Sequence, residues 1–263
     1  MSSPKTPTLS IIVPALNEEK GLSLVLKKLL ALSRKIGEGP LATGTELVVV
    51  DDGSRDRTAQ VASQFQGVTV LRNQKTLGYG AAIKIGFEAS HGELLAFLDA
   101  DDTYPPEALQ EMLAVLFEQK ADMVIGSRSF FKEGMPLNRK LGNIFLNRVT
   151  SWLMGRPVLD STSGMRLLRR EAWMALDPLP DGLAFTPSMT AQALYKGLKI
   201  ACHPIPYHER VGRSKLNPKD SFSFLFVTLR AVRRYDPLRF LLSAGVGLCL
   251  AALLTGLALR GCS

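Results

Sequence analysis

Three carboxylates lie within four positions at the end of an apolar stretch of this sequence. Residues 94–98 are apolar, and Asp99, Asp101 and Asp102 follow them with only Ala100 in between. Clustered carboxylates repel one another and lose hydration when buried, so packing alone gives no reason for a strand to end in this way. A divalent cation bound there would remove the repulsion and supply a positive charge for holding phosphates. A solvated acidic loop is the alternative that this stretch leaves open.

Polar clusters also follow three other apolar stretches, at residues 14–18, 51–54 and 126–128. Between residues 9 and 128, aliphatic runs alternate with segments of helical spacing, and this alternation predicts a mostly parallel sheet with helices on both faces. Ligands of such α/β folds bind beyond the carboxyl ends of the strands. Because all four clusters should meet at that edge, the sequence favours a binding site over unrelated solvated loops.

The segments between the strands must position these clusters. Asn17 is predicted to cap the first helix, whose apolar residues have helical spacing. Gly78 and Gly80 open a later helix, and two glycines at a helix N-terminus suit a close approach to phosphate. Pro105 is predicted to begin the helix after the acidic cluster, with Asp102 as its cap or as a solvated neighbour.

Basic residues recur in the second half of the chain. Residues 135–154 have helical spacing with a basic side, which an ordinary amphipathic surface helix would also show. A polar segment at residues 160–166 leads into a further short strand. Residues 208–215 contain cations, a serine and a glycine, a composition typical of a phosphate-binding segment and also of a solvated loop.

Composition restricts the class of protein. The chain has 263 residues, 46% of them hydrophobic, and a net charge of +8. This length allows one sizeable core together with an apolar segment, and the basic balance indicates an anionic partner such as a nucleotide, a nucleic acid or an anionic lipid surface. Three scattered cysteines argue against a disulfide framework or a zinc site and favour a reducing compartment. The polar residues 1–8 lack the apolar core of a signal peptide, so the following domain is expected to stay cytoplasmic.

The end of the chain predicts a membrane anchor. Residues 240–259 contain no charged residue and are long enough to cross a hydrocarbon layer of about 30 Å. More arginines precede this stretch than follow it, which by the positive-inside rule places the preceding domain on the cytoplasmic side. We therefore expect a cytoplasmic α/β domain at residues 1–219, a basic amphipathic segment along the membrane at 220–237, and a transmembrane helix at 238–260. A buried C-terminal helix or an oligomer contact is the alternative.

Taken in order, the clusters resemble glycosyltransferase family 2, whose members have the GT-A fold, a nucleotide-sugar-binding α/β fold with a mostly parallel, Rossmann-like sheet. The resemblance covers about residues 8–220. It is carried by residues 13–18, 49–58, 77–82 and 99–101. Within the family, the polyprenyl-phosphate branch typified by dolichyl-phosphate mannosyltransferase is similar at residues 126–128, 160–166 and 210–215.

The resemblance implies a role for each matching residue. Asp99 and Asp101 would hold Mg²⁺ or Mn²⁺ against the diphosphate of the donor, and together with Arg128 and Arg210 they would form the catalytic set. The nucleotide sugar would contact Pro14, Ala15, Asn17, Glu18, Asp51, Gly53, Ser54, Gly78 and Ala100. The acceptor phosphate and the pyrophosphate would face Arg128, Arg139, Ser163, Arg210, Ser214 and Lys215.

Two positions depart from the mannosyltransferase pattern. Thr103 stands where a glutamine commonly serves as another metal ligand, which puts the third protein ligand in doubt. Ser188 stands where a glutamate often occurs. These departures weaken an assignment of mannose as the sugar.

One hypothesis for the function leads. The protein would transfer a sugar, with inversion, from a GDP- or UDP-sugar to a polyprenyl phosphate, such as dolichyl or undecaprenyl phosphate, at the cytoplasmic membrane face. An ionised phosphate can attack without a general base, and the three histidines have the character of structural or surface residues. No nucleic-acid partner is expected, whereas a membrane-protein partner or a homo-oligomer stays open.

Two alternative functions stay open, one with a different acceptor and one without any reaction. A membrane-anchored transferase could act on a hydroxyl of a lipid or of a lipid-linked saccharide. It would need a general base, which the family usually supplies within an acidic pair, and no such pair occurs between residues 130 and 220. A non-catalytic membrane scaffold is the second alternative, and the intact acidic and basic clusters argue against it.

Overall fold

A seven-stranded sheet lies at the centre of the part of the chain that the structure describes. The computed structural model describes residues 7–128, 137–211, 218–243 and 245. The strands are β1 (Leu9–Ala15), β2 (Thr45–Asp51), β3 (Val68–Arg72), β4 (Leu94–Phe97), β5 (Met123–Ser127), β6 (Arg166–Arg169) and β7 (Ile200–Pro204). The helices are α1 (Glu19–Gly37), α2 (Thr58–Ser63), α3 (Tyr79–Ala89), α4 (Ala108–Glu118), α5 (Leu137–Met154), α6 (Arg170–Met174), α7 (Phe185–Tyr195) and α8 (Pro218–Tyr235).

The strand order across the sheet is β3-β2-β1-β4-β6-β5-β7, and neighbouring strands are parallel except at β6. β6 runs antiparallel to β4 and β5, with Arg166 opposite Phe97 on one side and Ile125 on the other. The predicted α/β fold with a mostly parallel sheet is therefore confirmed, with one reversed strand. Because β6 is reversed, its amino end lies at the edge where the parallel strands have their carboxyl ends.

Helices cover both faces of the sheet. Successive residues of β1 point to opposite faces, so that Ile11 and Val13 pack with α1 and α4, whereas Ile12 packs with α3 and α7. The residues of β1 and β4 are buried throughout, which explains why β4 is a continuous apolar run and β1 is apolar except at Ser10.

Some boundaries differ from the sequence-based expectation. Glu18 rather than Asn17 precedes α1, because Asn17 has a left-handed backbone (φ 50°) and its side chain accepts a hydrogen bond from the Arg55 amide. α4 begins at Ala108 rather than at Pro105, whose carbonyl accepts a turn hydrogen bond from the Ala108 amide. The short helix α6 directly after β6 is not predicted by the sequence pattern.

The last described helix packs against the rest of the protein. Val232 of α8 is buried with Leu153 of α5 and Ala191 of α7, in an apolar cluster separate from the two beside the sheet. The segment predicted at residues 220–237 therefore has one face in contact with the domain. The predicted transmembrane helix at 238–260 falls mostly on residues outside the described part. Within the described part, no helix is both long enough and apolar enough to cross a membrane.

Candidate active site

The first wall of the candidate site joins the segments that follow β1 and β2. Asn17 donates its amide hydrogen to Ser54 Oγ (2.8 Å), and its side-chain oxygen accepts from the Arg55 amide (2.8 Å). The Glu18 amide donates to Thr58 Oγ1 (2.9 Å). These hydrogen bonds bring together residues from two segments that the sequence assigns to one nucleotide site.

A cleft of ≈ 340 Å³ opens at this wall, and it is lined by Gly53, Ser54, Arg72, Asn73 and Gln74. Asp51 is fully buried behind it, and one of its oxygens accepts from the Ser54 amide (2.9 Å). Its Oδ2 lies 3.3 Å from Arg72 Nε and accepts no hydrogen bond from any described residue. An acceptor oxygen beside a basic side chain suits the polar edge of a nucleobase.

Asp52 holds the loop that leads into α3, a role that the sequence pattern does not indicate. Its buried carboxylate accepts hydrogen bonds from Asn73 Nδ2 (2.8 Å) and from the amides of Leu77 (2.9 Å) and Gly78 (2.8 Å). Both of its oxygens are therefore used within the protein. Of the two adjacent aspartates, only Asp51 keeps an oxygen that accepts no hydrogen bond in the described structure.

The glycines at the start of α3 have a different structural reason from the expected one. A Cβ at Gly78 would lie 2.5 Å from the Asp181 carbonyl oxygen, and one at Gly80 would overlap the Pro180 carbonyl. The Gly78 amide is bound by a carboxylate, and the Ala81 amide donates to Asp181 O (3.0 Å). Close packing against residues 180–181 therefore explains these glycines, and the contact of Gly78 with the nucleotide sugar stays a prediction.

Asp99 and Asp101 follow β4 and lie close enough to influence one another. Burial, and after it the charge of Asp101, raise the pKa of Asp99 to about 7. Asp99 Oδ1 accepts a hydrogen bond from the Tyr79 hydroxyl (2.7 Å). Asp101 Oδ1 accepts from the amide (3.1 Å) and the hydroxyl (2.6 Å) of Thr103, so Thr103 supports Asp101 directly. Loss of hydration on burial, more than the charge of Asp101, disfavours the charged form of Asp99.

Asp102 makes a separate contact. Its carboxylate lies 2.6 Å from Lys28 Nζ, so it connects the acidic segment to α1. The expectation that Asp102 is a solvated neighbour or a helix cap is wrong, because α4 begins at Ala108 and the Asp102 carboxylate is half-buried in this ion pair.

Arg210 lies between two acidic segments. Its guanidinium contacts Asp101 Oδ2 through Nη1 (2.8 Å) and Glu18 Oε1 through Nη2 (2.5 Å). The amide of Val211 donates to the Asp101 carbonyl (3.0 Å) and fixes the same segment. The structure thus brings together three residues that the sequence assigns to the metal, the nucleotide and the acceptor phosphate, and it places a cation directly on the acidic pair.

Arg128 is held by a buried ion pair. Its amide, its Nε and one terminal nitrogen donate to Asp160 (2.8, 2.9 and 2.5 Å), and the same terminal nitrogen donates to Thr162 Oγ1 (3.0 Å). The guanidinium carbon also lies 5.9 Å from the ring centre of Tyr104 and 5.5 Å from that of Tyr207. Asp160 accepts from two of the five N–H groups of this guanidinium and Thr162 from a third, so the role of Arg128 toward a phosphate stays a prediction.

The segment before β6 lies next to Asp99 and extends into the core. Ser163 is fully buried and its hydroxyl donates to the Gly126 carbonyl (2.6 Å), which corrects the prediction that Ser163 faces a phosphate. A Cβ at Gly164 would lie 2.5 Å from Asp99 Oδ2, so any larger residue there would displace that carboxylate. Arg166 is fully buried, donates to main-chain carbonyls, and has a pKa that burial lowers to about 10. The signal for Gly164 in the sequence is the polar run at residues 160–166.

For the remaining predicted site residues, the described part of the structure gives no side-chain contact that bears on a ligand. Pro14 and Ala15 are the buried last residues of β1, and Ala100 is buried against α1. Arg139 lies in α5, but its side chain is outside the described part of the chain, as are Ser214 and Lys215 altogether. The ligand roles of these residues stay predictions.

The donor atoms at the acidic pair fit a divalent cation. The described residues contain no group of three or more histidine, cysteine or acidic side chains suited to a metal. Mg²⁺, however, is usually held by only one or two carboxylates together with water and substrate phosphates. Asp99 and Asp101 supply two such carboxylates, and the ion pair of Asp101 with Arg210 places a positive charge beside them.

Comparison with known proteins identifies the family. Residues 10–176 match the family described as Glycosyl transferase family 2. The chain belongs to this family. The family predicted from the sequence is thus confirmed, and with it the enzyme class, a glycosyltransferase.

Two curated relatives from Haloferax volcanii are each 35% identical to this family 2 member. The low-salt glycan biosynthesis hexosyltransferase Agl6 matches over 80% of this chain and 50% of its own length. The dolichyl-phosphate hexose transferase matches over 80% of this chain and 87% of its own length. The chain therefore spans only half the length of the first relative and most of the second.

The fold has solved counterparts. Glucosyl-3-phosphoglycerate synthase from Mycobacterium tuberculosis, in complex with Mn²⁺, uridine diphosphate and glucosyl-3-phosphoglycerate, is similar with a TM-score of 0.67. The similarity covers 86% of this chain and 80% of that one, at 21% identity. A further structure of the same synthase contains Mg²⁺ and uridine diphosphate. At this identity the likeness establishes the fold, and the predicted GT-A architecture is confirmed.

Proposed function

We propose that this protein transfers a hexosyl group from a nucleoside diphosphate sugar to the phosphate of a polyprenyl lipid, with inversion at the anomeric carbon. The observation that carries the proposal is the cluster in which Arg210 contacts Asp101 beside Asp99 at the carboxyl edge of the sheet. An acidic pair suits a cation on a diphosphate, and an adjacent guanidinium suits a phosphate. The name of the Haloferax dolichyl-phosphate hexose transferase supports a polyprenyl phosphate as the acceptor.

The nucleotide would bind at the cleft beside β2. Asp51 Oδ2, which accepts no hydrogen bond from the described residues, can accept one from a ring N–H of the base. Arg72, 3.3 Å from that oxygen, can donate to a carbonyl of the same base. Uracil and guanine both carry this combination of groups, so GDP- and UDP-sugars are the donors to test. The uridine diphosphate bound by the structural neighbours supports a UDP-sugar.

The residues around the acidic pair would then perform a single displacement. An oxygen of the ionised lipid phosphate bonds to the anomeric carbon while the bond from that carbon to the diphosphate breaks, so no proton has to be removed. Asp99 and Asp101 would hold Mg²⁺ or Mn²⁺, which when bound neutralises the charge on the departing diphosphate. Arg210 would stabilise the same negative charge from the opposite side of Asp101.

The positions of two histidines support a reaction without a general base. His91 lies against Glu46 (3.3 Å) and His203 lies against Glu111 (2.8 Å), so each of these two imidazoles already has an acidic partner, whereas the backbone of the third histidine, His208, donates to Thr103 O (3.0 Å). An acceptor hydroxyl would need a base close to the acidic pair. An acceptor phosphate needs none, because it is already ionised at neutral pH.

A surface on α5, α8 and the residues after α8 would place the site at a membrane. Large apolar side chains that are exposed on this surface are Ile144, Phe145, Trp152, Phe226, Leu238, Leu241 and Leu242. Arginines on the same elements include Arg148, Arg230, Arg233 and Arg234. Aromatic and aliphatic side chains among arginines are typical of segments that lie on anionic lipid surfaces. We therefore keep the cytoplasmic membrane face, with the transmembrane helix at 238–260, as part of the proposal.

A transfer assay with membranes that carry the full chain tests the proposal. The membranes receive polyprenyl phosphate and radiolabelled GDP- or UDP-sugars, with and without a chelator. We expect label in a lipid-extractable product from which mild acid releases the sugar, loss of transfer with chelator, and recovery with Mg²⁺ or Mn²⁺. Asp101→Asn should abolish transfer, whereas Asp102→Asn, the matched control whose carboxylate contacts Lys28, should retain it.

Two outcomes would contradict the proposed reaction. Label in an acid-stable glycolipid, independent of added polyprenyl phosphate, would indicate a hydroxyl acceptor. Absence of transfer with every donor, in membranes that contain the folded protein, would favour the non-catalytic scaffold.

A further inference from the structure

We propose that Tyr79 is a positioning residue that fixes the carboxylate of Asp99 in the orientation needed to bind the divalent cation. The inference rests on the proposed function, since it assigns a support to one of the two proposed metal ligands. Tyr79 is the first residue of α3, next to glycines whose presence is explained by close packing.

The Asp99 carboxylate is confined between two contacts. Tyr79 Oη lies 2.7 Å from Asp99 Oδ1 and donates a hydrogen bond to it. The other oxygen, Oδ2, lies so close to Gly164 that a Cβ there would be at 2.5 Å. The hydrogen bond from Tyr79 at Oδ1 restricts rotation of this carboxylate, and Gly164 leaves the space that Oδ2 occupies. The hydrogen bond from the Tyr79 hydroxyl therefore decides which lone pairs of Asp99 remain available for a cation.

Tyr79 itself is fixed by its neighbours on both sides in sequence. The Gly78 amide donates to Asp52 (2.8 Å), and the Ala81 amide donates to Asp181 O (3.0 Å). The ring also packs against the apolar cluster on the α3 face of the sheet. Because both ends of this short segment are anchored, the phenol is presented to Asp99 by rigid backbone, as a support for a metal ligand requires.

The chemistry of the hydroxyl agrees with this role. A phenol is protonated at neutral pH, so the Tyr79 hydroxyl can donate to Asp99. A donor on Asp99 stabilises the carboxylate in its charged form, the form that binds a cation. The ion pair of Asp101 with Arg210 does not replace this contact, since it involves the other carboxylate.

Removal of the hydroxyl alone tests the inference. The full chain, in detergent and with saturating uridine diphosphate, is titrated with Mn²⁺, and free Mn²⁺ is measured by electron paramagnetic resonance. Loss of a support to a metal ligand commonly weakens metal affinity by about 10–100-fold. We expect Tyr79→Phe to weaken Mn²⁺ binding within this range, while the metal-free protein still unfolds in one cooperative thermal transition at a modestly lower temperature.

Tyr195→Phe is the matched control. The Tyr195 hydroxyl is buried and makes no hydrogen bond with described residues, so its removal should leave Mn²⁺ affinity unchanged. A second variant separates a local effect from general loosening: in an Asp99→Asn background, Tyr79→Phe should cause no further loss of affinity.

The outcomes are distinguishable. If wild type binds Mn²⁺ and Tyr79→Phe binds it equally well, the positioning role is refuted and the proposed metal site stands. The role is also refuted if Tyr79→Phe weakens binding as much in the Asp99→Asn background as in the wild-type background, because the effect then bypasses that carboxylate. A wild-type chain that binds no Mn²⁺ overturns the metal assignment itself, whatever the variants do.

Discussion

The buried pair of Arg128 and Asp160 gives a prediction that does not depend on the identity of the substrate. Replacement of Asp160 by Asn keeps the size of the side chain and removes its charge. The carboxylate accepts three hydrogen bonds from Arg128, at 2.8, 2.9 and 2.5 Å. The side chains are 10% and 2% exposed, so water cannot replace the lost partner.

The magnitude follows from this burial. Removal of one partner from a buried ion pair costs about 3–5 kcal/mol, because the remaining charge is left without compensation. We therefore expect Asp160→Asn to reduce the free energy of unfolding by about 3 kcal/mol, toward the lower end because Asn keeps one acceptor oxygen. The double replacement Arg128→Met with Asp160→Asn should cost roughly 3 kcal/mol less than the sum of the two single replacements.

Urea unfolding followed by circular dichroism measures these differences. Asp181→Asn is the matched control: this carboxylate also contacts a cation, Lys84, but its side chain is 67% exposed, so the loss should stay below about 1 kcal/mol. Equal losses at Asp160 and Asp181, or strict additivity in the double variant, would refute the assignment of a buried, coupled pair.

The same pair predicts a dependence on pH. Burial by itself would raise the pKa of Asp160, but the charge and hydrogen bonds of Arg128 outweigh burial and lower the pKa. Because the folded-state pKa lies below the unfolded value of about 3.9, the pair stabilises the protein above that pH. This contribution should disappear as the pH falls through the lowered pKa, and Asp160→Asn should remove that part of the acid dependence.

Three further predictions concern the frame around the site. A residue other than glycine in the left-handed region costs roughly 1–2 kcal/mol, and Gly67→Ala, with φ +81° and open space around its Cβ, should cost only this amount. Gly53→Ala should cost more, because its Cβ would lie 2.8 Å from backbone atoms. Calorimetry compares the two variants. Arg170→Ala should cost about 2–3 kcal/mol in urea unfolding, since its guanidinium donates to three carbonyls in the last turn of α3 and just after it. Burial alone would raise the pKa of Glu46, but its hydrogen bonds, which include those with His91, lower the pKa overall. The charged Glu46 therefore stabilises the protein, and this contribution is lost as the pH falls through the acidic range. In Glu46→Gln the free energy of unfolding should depend less on pH in that range.

The sheet could be predicted because its strands are buried on both faces. Apolar runs such as residues 11–13 and 94–98 are typical of strands buried on both faces, and their alternation with helical segments predicts parallel pairing. Helix starts were less predictable. Asn17 has the residue type of a cap, yet its side chain binds the Arg55 amide 38 positions away, and local sequence contains no trace of that partner.

The types of residues in the site were predictable, but their partners were not. A basic side chain such as Arg210 looks equally suited to a phosphate or to a carboxylate, and its contact with Glu18 spans 192 positions. Ser163 shows the same limit, because a serine in a polar run gives no sign that its hydroxyl is directed into the core. Composition of a cluster predicts the kind of chemistry, whereas burial and pairing decide which member can perform it.

The reversed strand explains why one part of the site was harder to recognise than the rest. In a parallel strand the polar cluster comes after the apolar run, and residues 14–18, 51–54 and 99–102 all obey this rule. β6 runs the other way, so the residues that reach the same edge come before it, at 160–164. Asp160 thereby reaches Arg128 after β5, and Gly164 reaches Asp99 after β4. Where an α/β sheet contains a reversed strand, a polar run before that strand therefore indicates a binding site as strongly as a polar run after a parallel strand.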